Sequence, residues 1–204
     1  MIQQTAEWYQ AKIGKVSASR CADLMAKTKS GYSTSRKNYM MELIIARLTG
    51  EYPESYTSAA MQWGIDTEAE ARLQYEGATL NIVKQVGFIE LNENIGCSPD
   101  GLIGDEGGLE IKCPNSATHI ETLLSGNIDR KYILQMQFSM WVTGREWFDF
   151  VSYDPRWPID LRLFIKRVER DEVMISEIKK EVDSFLAEMF DLMNKLKEVQ
   201  NGHE

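Results

Sequence analysis

The stretch CSPDGLIGDEGGLEIKCP, residues 97–114, decides the fold. Short alternating runs flank Asp105-Glu106-Gly107-Gly108, which is the pattern of two strands joined by a tight turn. Side chains alternate faces along a strand, so Glu110 and Lys112 project to one side and Leu109, Ile111 and Cys113 form the other, buried side. A three-residue turn at Asp105, Glu106 and Gly107 would pair Gly104 with Gly108 and set Asp100 opposite Lys112. Asp100, Glu110 and Lys112 then share one face, a geometry that a one-residue slip would undo.

Two carboxylates held close together repel, and a hard divalent cation with oxygen ligands, Mg²⁺ or Mn²⁺, neutralises them. The Ile111 carbonyl, between the two functional side chains, is a candidate further ligand. Such a site suits hydrolysis at a phosphoryl centre, with Lys112 positioning water or screening phosphate as a point charge. The plainer alternative is a turn at Asp100-Gly101 beside an exposed Glu-Lys strand pair.

Working outward, the first half reads as helices from Ser19 to about Lys27, Ser35 to Leu48 and Ser58 to Glu76, the last stopping at Gly77. Strands and hairpins fill Thr79 to Cys113. Helices Ser116 to Leu124 and Arg130 to Thr143 follow, then a strand pair, Trp147 to Tyr153 and Leu161 to Val168. Tyr132 and Gln135 share a helix face. Ile175, Ile178, Val182, Phe185, Met189, Leu192, Leu196 and Val199 form an apolar seam on a final helix, predicted to pack on the protein's own sheet. The whole is a single mixed α/β domain over residues 1–204, with a cationic helical part (1–50), a core (58–153) and a C-terminal helix (171–200).

The 204 residues include 23 basic and 31 acidic side chains, a net charge of −8, and 43% are hydrophobic, which excludes wholesale disorder. No apolar run is long enough for a membrane span, and the opening residues lack the apolar core of an export signal. Cys21, Cys97 and Cys113 form no CxxC pair and read as small buried hydrophobes in a reducing compartment. The negative average conceals an asymmetry, since residues 1–50 carry +5 and residues 51–109 carry −9.

SPDG followed by LEIKCP resembles the PD-(D/E)xK nuclease signature. WGIDTEAEAR, GCSPDG, LEIKCP, QMQFSMWVTG and YDPR, in that order, resemble the lambda-exonuclease and YqaJ-like viral recombinase family, over about Trp8 to Asp171. The resemblance implies a restriction-endonuclease-like core with a mixed central sheet. It also implies Mg²⁺-dependent 5′ to 3′ digestion of one strand of duplex DNA from an end, leaving 3′ single-stranded tails. Ring-shaped homotrimers, a phage single-strand annealing protein as partner, and a phage- or prophage-encoded protein in the bacterial cytoplasm follow from the same source.

Position by position, it makes Asp100 and Glu110 metal ligands, Ile111 a main-chain ligand, Lys112 the catalytic lysine and Glu68 an acidic residue supporting a second ion. Gln135 matches a glutamine that holds the active site. Ser19 matches a serine that grips the terminal 5′ phosphate, and Lys12 stands where a relative has arginine, so 5′-phosphate selectivity is expected to be weaker. Arg20, Lys15, Arg36 and Lys37 are candidate backbone contacts. Thr118 replaces an expected arginine, and His119, His203, Trp157 and Glu70 receive no role. A restriction or repair endonuclease with the same core, a DNA-end-binding protein whose nuclease site has decayed, and a hydrolase of another phosphoester are the alternatives.

Overall fold

A computed structural model describes residues 2–52 and 58–201. In chain order it runs α1 (Ala6–Lys12), β1 (Val16–Ser17), a 3-10 turn (Ala18–Arg20), α2 (Cys21–Met25), β2 (Lys27–Thr28), β3 (Gly31–Tyr32), α3 (Thr34–Thr49) and α4 (Ala59–Thr79). Next come β4 (Val83–Lys84), β5 (Ile89–Asn92), β6 (Ile95–Cys97), β7 (Gly101–Ile103), β8 (Gly107–Lys112), α5 (Ser116–Ser125) and α6 (Arg130–Thr143). The chain closes with β9 (Trp147–Tyr153), a 3-10 turn (Ile159–Leu161), β10 (Leu163–Glu169) and α7 (Glu172–Asn201).

The central sheet has the order β10-β9-β8-β7-β4. Strands β8 and β9 are parallel, joined by the crossover of α5 and α6, and the other pairs are antiparallel, so the sheet is mixed as predicted. Leu109, Ile111, Val151 and Tyr153 on one face bury against Ala71 and Tyr75 of α4. Phe148 and Phe150 on the other face bury against Met136 and Met140 of α6 and Ile175 of α7. Glycine is required beside this second layer: a Cβ on Gly108 would lie 2.3 Å from the Phe148 ring.

The observed register corrects one expectation. Gly101 pairs with Leu109, Leu102 with Gly108 and Ile103 with Gly107, so the loop is Gly104, Asp105 and Glu106, with the left-handed glycine first (Gly104, φ 50°). Continued by one residue, this register sets Asp100 across from Glu110, not Lys112. The displacement is even, so the face is unchanged.

Other boundaries move for identifiable reasons. The helix expected from Ser19 to about Lys27 is a 3-10 turn and the short α2, while α1 and β1 before it and the β2–β3 hairpin after it are too short to show a period. Helix α4 overruns Gly77 because Tyr75, held by Asp149 at 2.7 Å, anchors its last turn, and it ends at Leu80 in the left-handed conformation (φ 58°). The α7 seam packs mainly on helices rather than on the sheet. Ile178, Val182, Phe185 and Met189 join Leu24, Tyr39, Met40 and Phe138 of α2, α3 and α6, while Leu196 and Val199 remain exposed. Cys21 and Cys97 are buried free thiols and Cys113 is half-buried. No described helix is long and apolar enough to cross a membrane.

Candidate active site

Strand β7 stops at Gly101 because Pro99, two residues earlier, has no N–H to continue the ladder. The Asp100 main chain makes one more bond, its N–H donating to the Leu109 carbonyl at 3.2 Å. Its carboxylate then takes over, Oδ2 accepting from the Ile111 N–H at 2.6 Å. Main-chain groups alternate edges along a strand, so the Ile111 carbonyl points to the same edge, past the end of β7. Ile111, Lys112, Asp100, Glu68, Gly64 and Tyr132 line one cleft there.

Glu110 is the buried centre of this site, with 0% of its surface exposed. Its Oε1 accepts from Lys112 Nζ at 2.5 Å and from Gln135 Nε2 at 2.6 Å. Its Oε2 is buried with no partner among the described residues. Tyr132 stacks on Phe150 at 5.6 Å and lies 5.1 Å from Lys112 Nζ, giving that lysine an aromatic floor. From the other layer, α4 brings Glu68, ion-paired with Arg72 one turn later. Burial, with Asp100 and Glu68 adding repulsion against the pull of Lys112, pushes the Glu110 carboxyl up to about 7. Burial and then Asp100 push Glu68 up to about 7 as well, against Arg72 and Lys112. Burial also raises Asp100, despite Lys112 and the Ile111 N–H. Burial works against the Lys112 ammonium, but Glu110 and Asp100 outweigh it and hold it above the ordinary lysine value.

This cluster carries more negative charge than Lys112 and Arg72 can neutralise. An orphaned buried carboxylate oxygen, two further carboxylates and a main-chain carbonyl are hard oxygen donors that fit a divalent cation. Among the described residues no group of three or more histidine, cysteine or acidic side chains stands arranged to hold a metal ion by itself, so the fit rests on the chemistry of these donors. An open set of this kind suits Mg²⁺, which usually keeps several waters and takes one or two carboxylates.

A second pocket adjoins the first. Lys12, Ser17, Ser19, Trp8, Ser98 and Gln135 line it, and Gln135 links it to the carboxylate site by donating to Glu110. Trp8 Nε1 donates to Ser98 Oγ at 2.8 Å and fixes α1 against the SPDG segment. Lys12 Nζ lies 3.8 Å from the Trp8 ring centroid and, among the described residues, has no carboxylate within ion-pair distance. Burial lowers its pKa to about 8. Ser19 sits inside the 3-10 turn rather than at the start of a long helix, because α2 ends at Met25 where the chain enters the β2–β3 hairpin. Arg20 reaches the adjoining pocket but is engaged with Asp23 at 2.7 Å and Glu42 at 2.6 Å.

The +5 segment is therefore not a bare basic face: Lys15 pairs with Glu90, Lys27 with Glu181 and Arg36 with Glu188. Of the two helix residues read as candidate backbone contacts, Arg36 is buried and Lys37 is exposed. Arg72 was not singled out from the sequence as a site residue, although its i,i+4 spacing from Glu68 was the available signal. His119 is a satisfied buried residue, with Ser152 Oγ and the Leu161 carbonyl each at 2.8 Å. Glu70 accepts from the Tyr153 hydroxyl at 2.6 Å, and the Trp157 carbonyl accepts from Arg162 at 2.6 Å. His203 lies outside the described residues.

A mixed sheet whose β7–β8 hairpin carries Asp100, Glu110 and Lys112 between two helical layers is the core of the PD-(D/E)xK class. Residues 7–146 match the YqaJ-like viral recombinase domain, and the chain belongs to that family. Among solved structures it is similar to LHK-Exo, an alkaline exonuclease from Laribacter hongkongensis, with 48% identity, coverage of 98% of this chain and 100% of that one, and a TM-score of 0.92. The structure of LHK-Exo in complex with dAMP matches with the same values. A phage-related exonuclease from Haemophilus somnus 129PT shares the fold at 18% identity, 89% and 96% coverage and a TM-score of 0.71. A comparison with curated proteins gave no match.

Proposed function

We propose that this protein, a lambda-exonuclease-like nuclease by family, is an Mg²⁺-dependent exonuclease. On this reading it degrades one strand of linear duplex DNA from its end, 5′ to 3′, leaving 3′ single-stranded tails for phage-type recombination. The observation that carries this reading is the buried, unpartnered Glu110 Oε2 beside Lys112 on the hairpin that also holds Asp100. Asp100, Glu110, the Ile111 carbonyl and Glu68 are the groups that would hold divalent cations, two per site. Bound there, such ions supply water activation and stabilisation of the charge building on the phosphoryl and leaving oxygens.

The chain's own residues supply position. Lys112, kept protonated by Glu110 and Asp100 and seated over Tyr132, orients the attacking water or screens the scissile phosphate. Gln135 holds Glu110 Oε1, leaving Oε2 without a partner among the described residues and available to a cation. Lys12, Ser17 and Ser19 form the pocket for the terminal phosphate, with Arg20 at its margin. The binding of dAMP to LHK-Exo supports a nucleotide-sized product site in this family. A homotrimer closed around the DNA, an annealing-protein partner and the bacterial cytoplasm are parts of the same reading, drawn from the family resemblance.

Digestion of duplexes labelled at the 5′ or the 3′ end, with and without a 5′ phosphate, tests it. In Mg²⁺ the 5′ label should leave first, as mononucleotide, and faster from phosphorylated ends. Initial release of the 3′ label, or equal rates with EDTA, would refute the reading.

A further inference from the structure

Helix α3 opens Ser33-Thr34-Ser35-Arg36-Lys37, with Ser33 as its cap and no acidic residue in its first turn. The N-terminal end of a helix is electropositive, a poor place for two cations unless an anion joins them. Only 2% of the Arg36 side chain is exposed. Its Nη1 donates to Glu188 Oε2 at 2.6 Å, and the Tyr32 and Phe185 ring centroids lie 3.7 and 5.1 Å from its guanidinium carbon. Its Nε and Nη2 are buried and have no partner among the described residues. Those two nitrogens form the side-on edge of the guanidinium, two parallel donors matched to two oxygens of one anion. Ser33, Thr34, Arg36, Lys37, Met40 and Glu188 line a groove at this helix end.

We propose that this groove is a second phosphate site, one that holds the sugar-phosphate backbone of DNA away from the catalytic cleft; it rests on the reading of the protein as a DNA exonuclease. Hydroxyls, a helix N-terminus, an arginine fork and a lysine are the donor set that backbone phosphates draw. Tyr39 and Glu42, on the same helix, line the pocket that Lys12 and Ser19 share, so one rigid element carries both contacts. Six residues of helix separate Arg36 from Glu42, about 9 Å of axis, close enough for one duplex to touch both. Glu188 sets the limit on affinity, because it holds Nη1 and adds a negative charge at the rim. Tyr32, on a hairpin of two-residue strands, covers the guanidinium and has to move for the anion to enter.

The test is the Arg36 Nε–H resonance of ¹⁵N-labelled protein in EDTA, titrated separately with inorganic phosphate, acetate and a 24-base-pair duplex, and assigned with Arg36→Lys. The resonance should shift and saturate with phosphate and with duplex, and less with acetate. Arg36→Lys should weaken duplex binding about tenfold and reduce its salt slope by about one. Glu188→Gln should tighten phosphate binding severalfold. A resonance unmoved by either phosphate or duplex overturns the site. Movement by phosphate but not duplex, or tighter binding of acetate than of phosphate, overturns its assignment to DNA. The titration involves no hydrolysis, so a protein that fails to digest DNA would leave its outcome readable.

Discussion

Lys112 and Lys12 stand on two pockets linked by Gln135, which lines the second and donates to Glu110 beside the first, and their surroundings are opposite. Lys112 lies against Glu110 and Asp100 and is held charged above its ordinary range. Lys12 has an indole and no carboxylate partner among the described residues, and burial lowers its pKa to about 8. The first pocket has excess negative charge and is suited to cations; the second has an unpaired cation and is suited to an anion. On the proposed reading, a DNA end would offer a terminal phosphate to one pocket and, with metal bound, a scissile phosphate to the other.

The largest effect should come from removing the acid pocket's centre. Glu110→Ala or Lys112→Ala should lower digestion of linear duplex in Mg²⁺ by about 1000-fold or more, with circular dichroism confirming the fold. A loss of less than tenfold would mean that the pocket is not the reacting site. Next, Lys12→Ala should reduce the rate advantage of 5′-phosphorylated over 5′-hydroxyl ends by about tenfold, and Lys12→Arg should increase it, because a fork replaces a point charge. Equal ratios in all three proteins would remove the anion role of the second pocket.

The fold was legible where the pattern is long or the chemistry dense. Helix α6, predicted over Arg130 to Thr143, is observed with those bounds, and β9 likewise runs Trp147–Tyr153. The shared face of Asp100, Glu110 and Lys112 was correct although the register was not, because face depends on parity and register depends on which glycine adopts the left-handed turn. Helix α1 and the β2–β3 hairpin carry too few residues for a period to appear. Charge was the least legible quantity. The sum of +5 over residues 1–50 counted Arg36 and Lys15 as free, whereas partners 152 and 75 residues away neutralise them.

Two smaller effects sharpen the comparison. Glu68 and Glu110 have folded pKa values of about 7, above their ordinary 4.5. For such raised groups the stability contribution is full below the unfolded value and is lost as pH rises through the folded one. The metal-free protein should therefore lose melting temperature between about pH 4.5 and 7, and the gain on adding Mg²⁺ should be several degrees larger at pH 8.5 than at pH 5.5. Equal gains at both pH values would show that these carboxylates do not bind the ion. Smaller still, Arg72→Met should lower the Mg²⁺ concentration for half-maximal rate about threefold, by freeing Glu68 from its i,i+4 partner and leaving more uncompensated negative charge at the site. An unchanged metal requirement would make that pair purely structural.

The central claim, metal-dependent hydrolysis that begins at a DNA end, is tested most directly by offering linear and closed circular forms of one plasmid in Mg²⁺ and in EDTA. Release of mononucleotides from the linear form in Mg²⁺ alone, with the circle intact, is the expected result. Cleavage of the circle, or equal digestion of the linear form in EDTA, would contradict it.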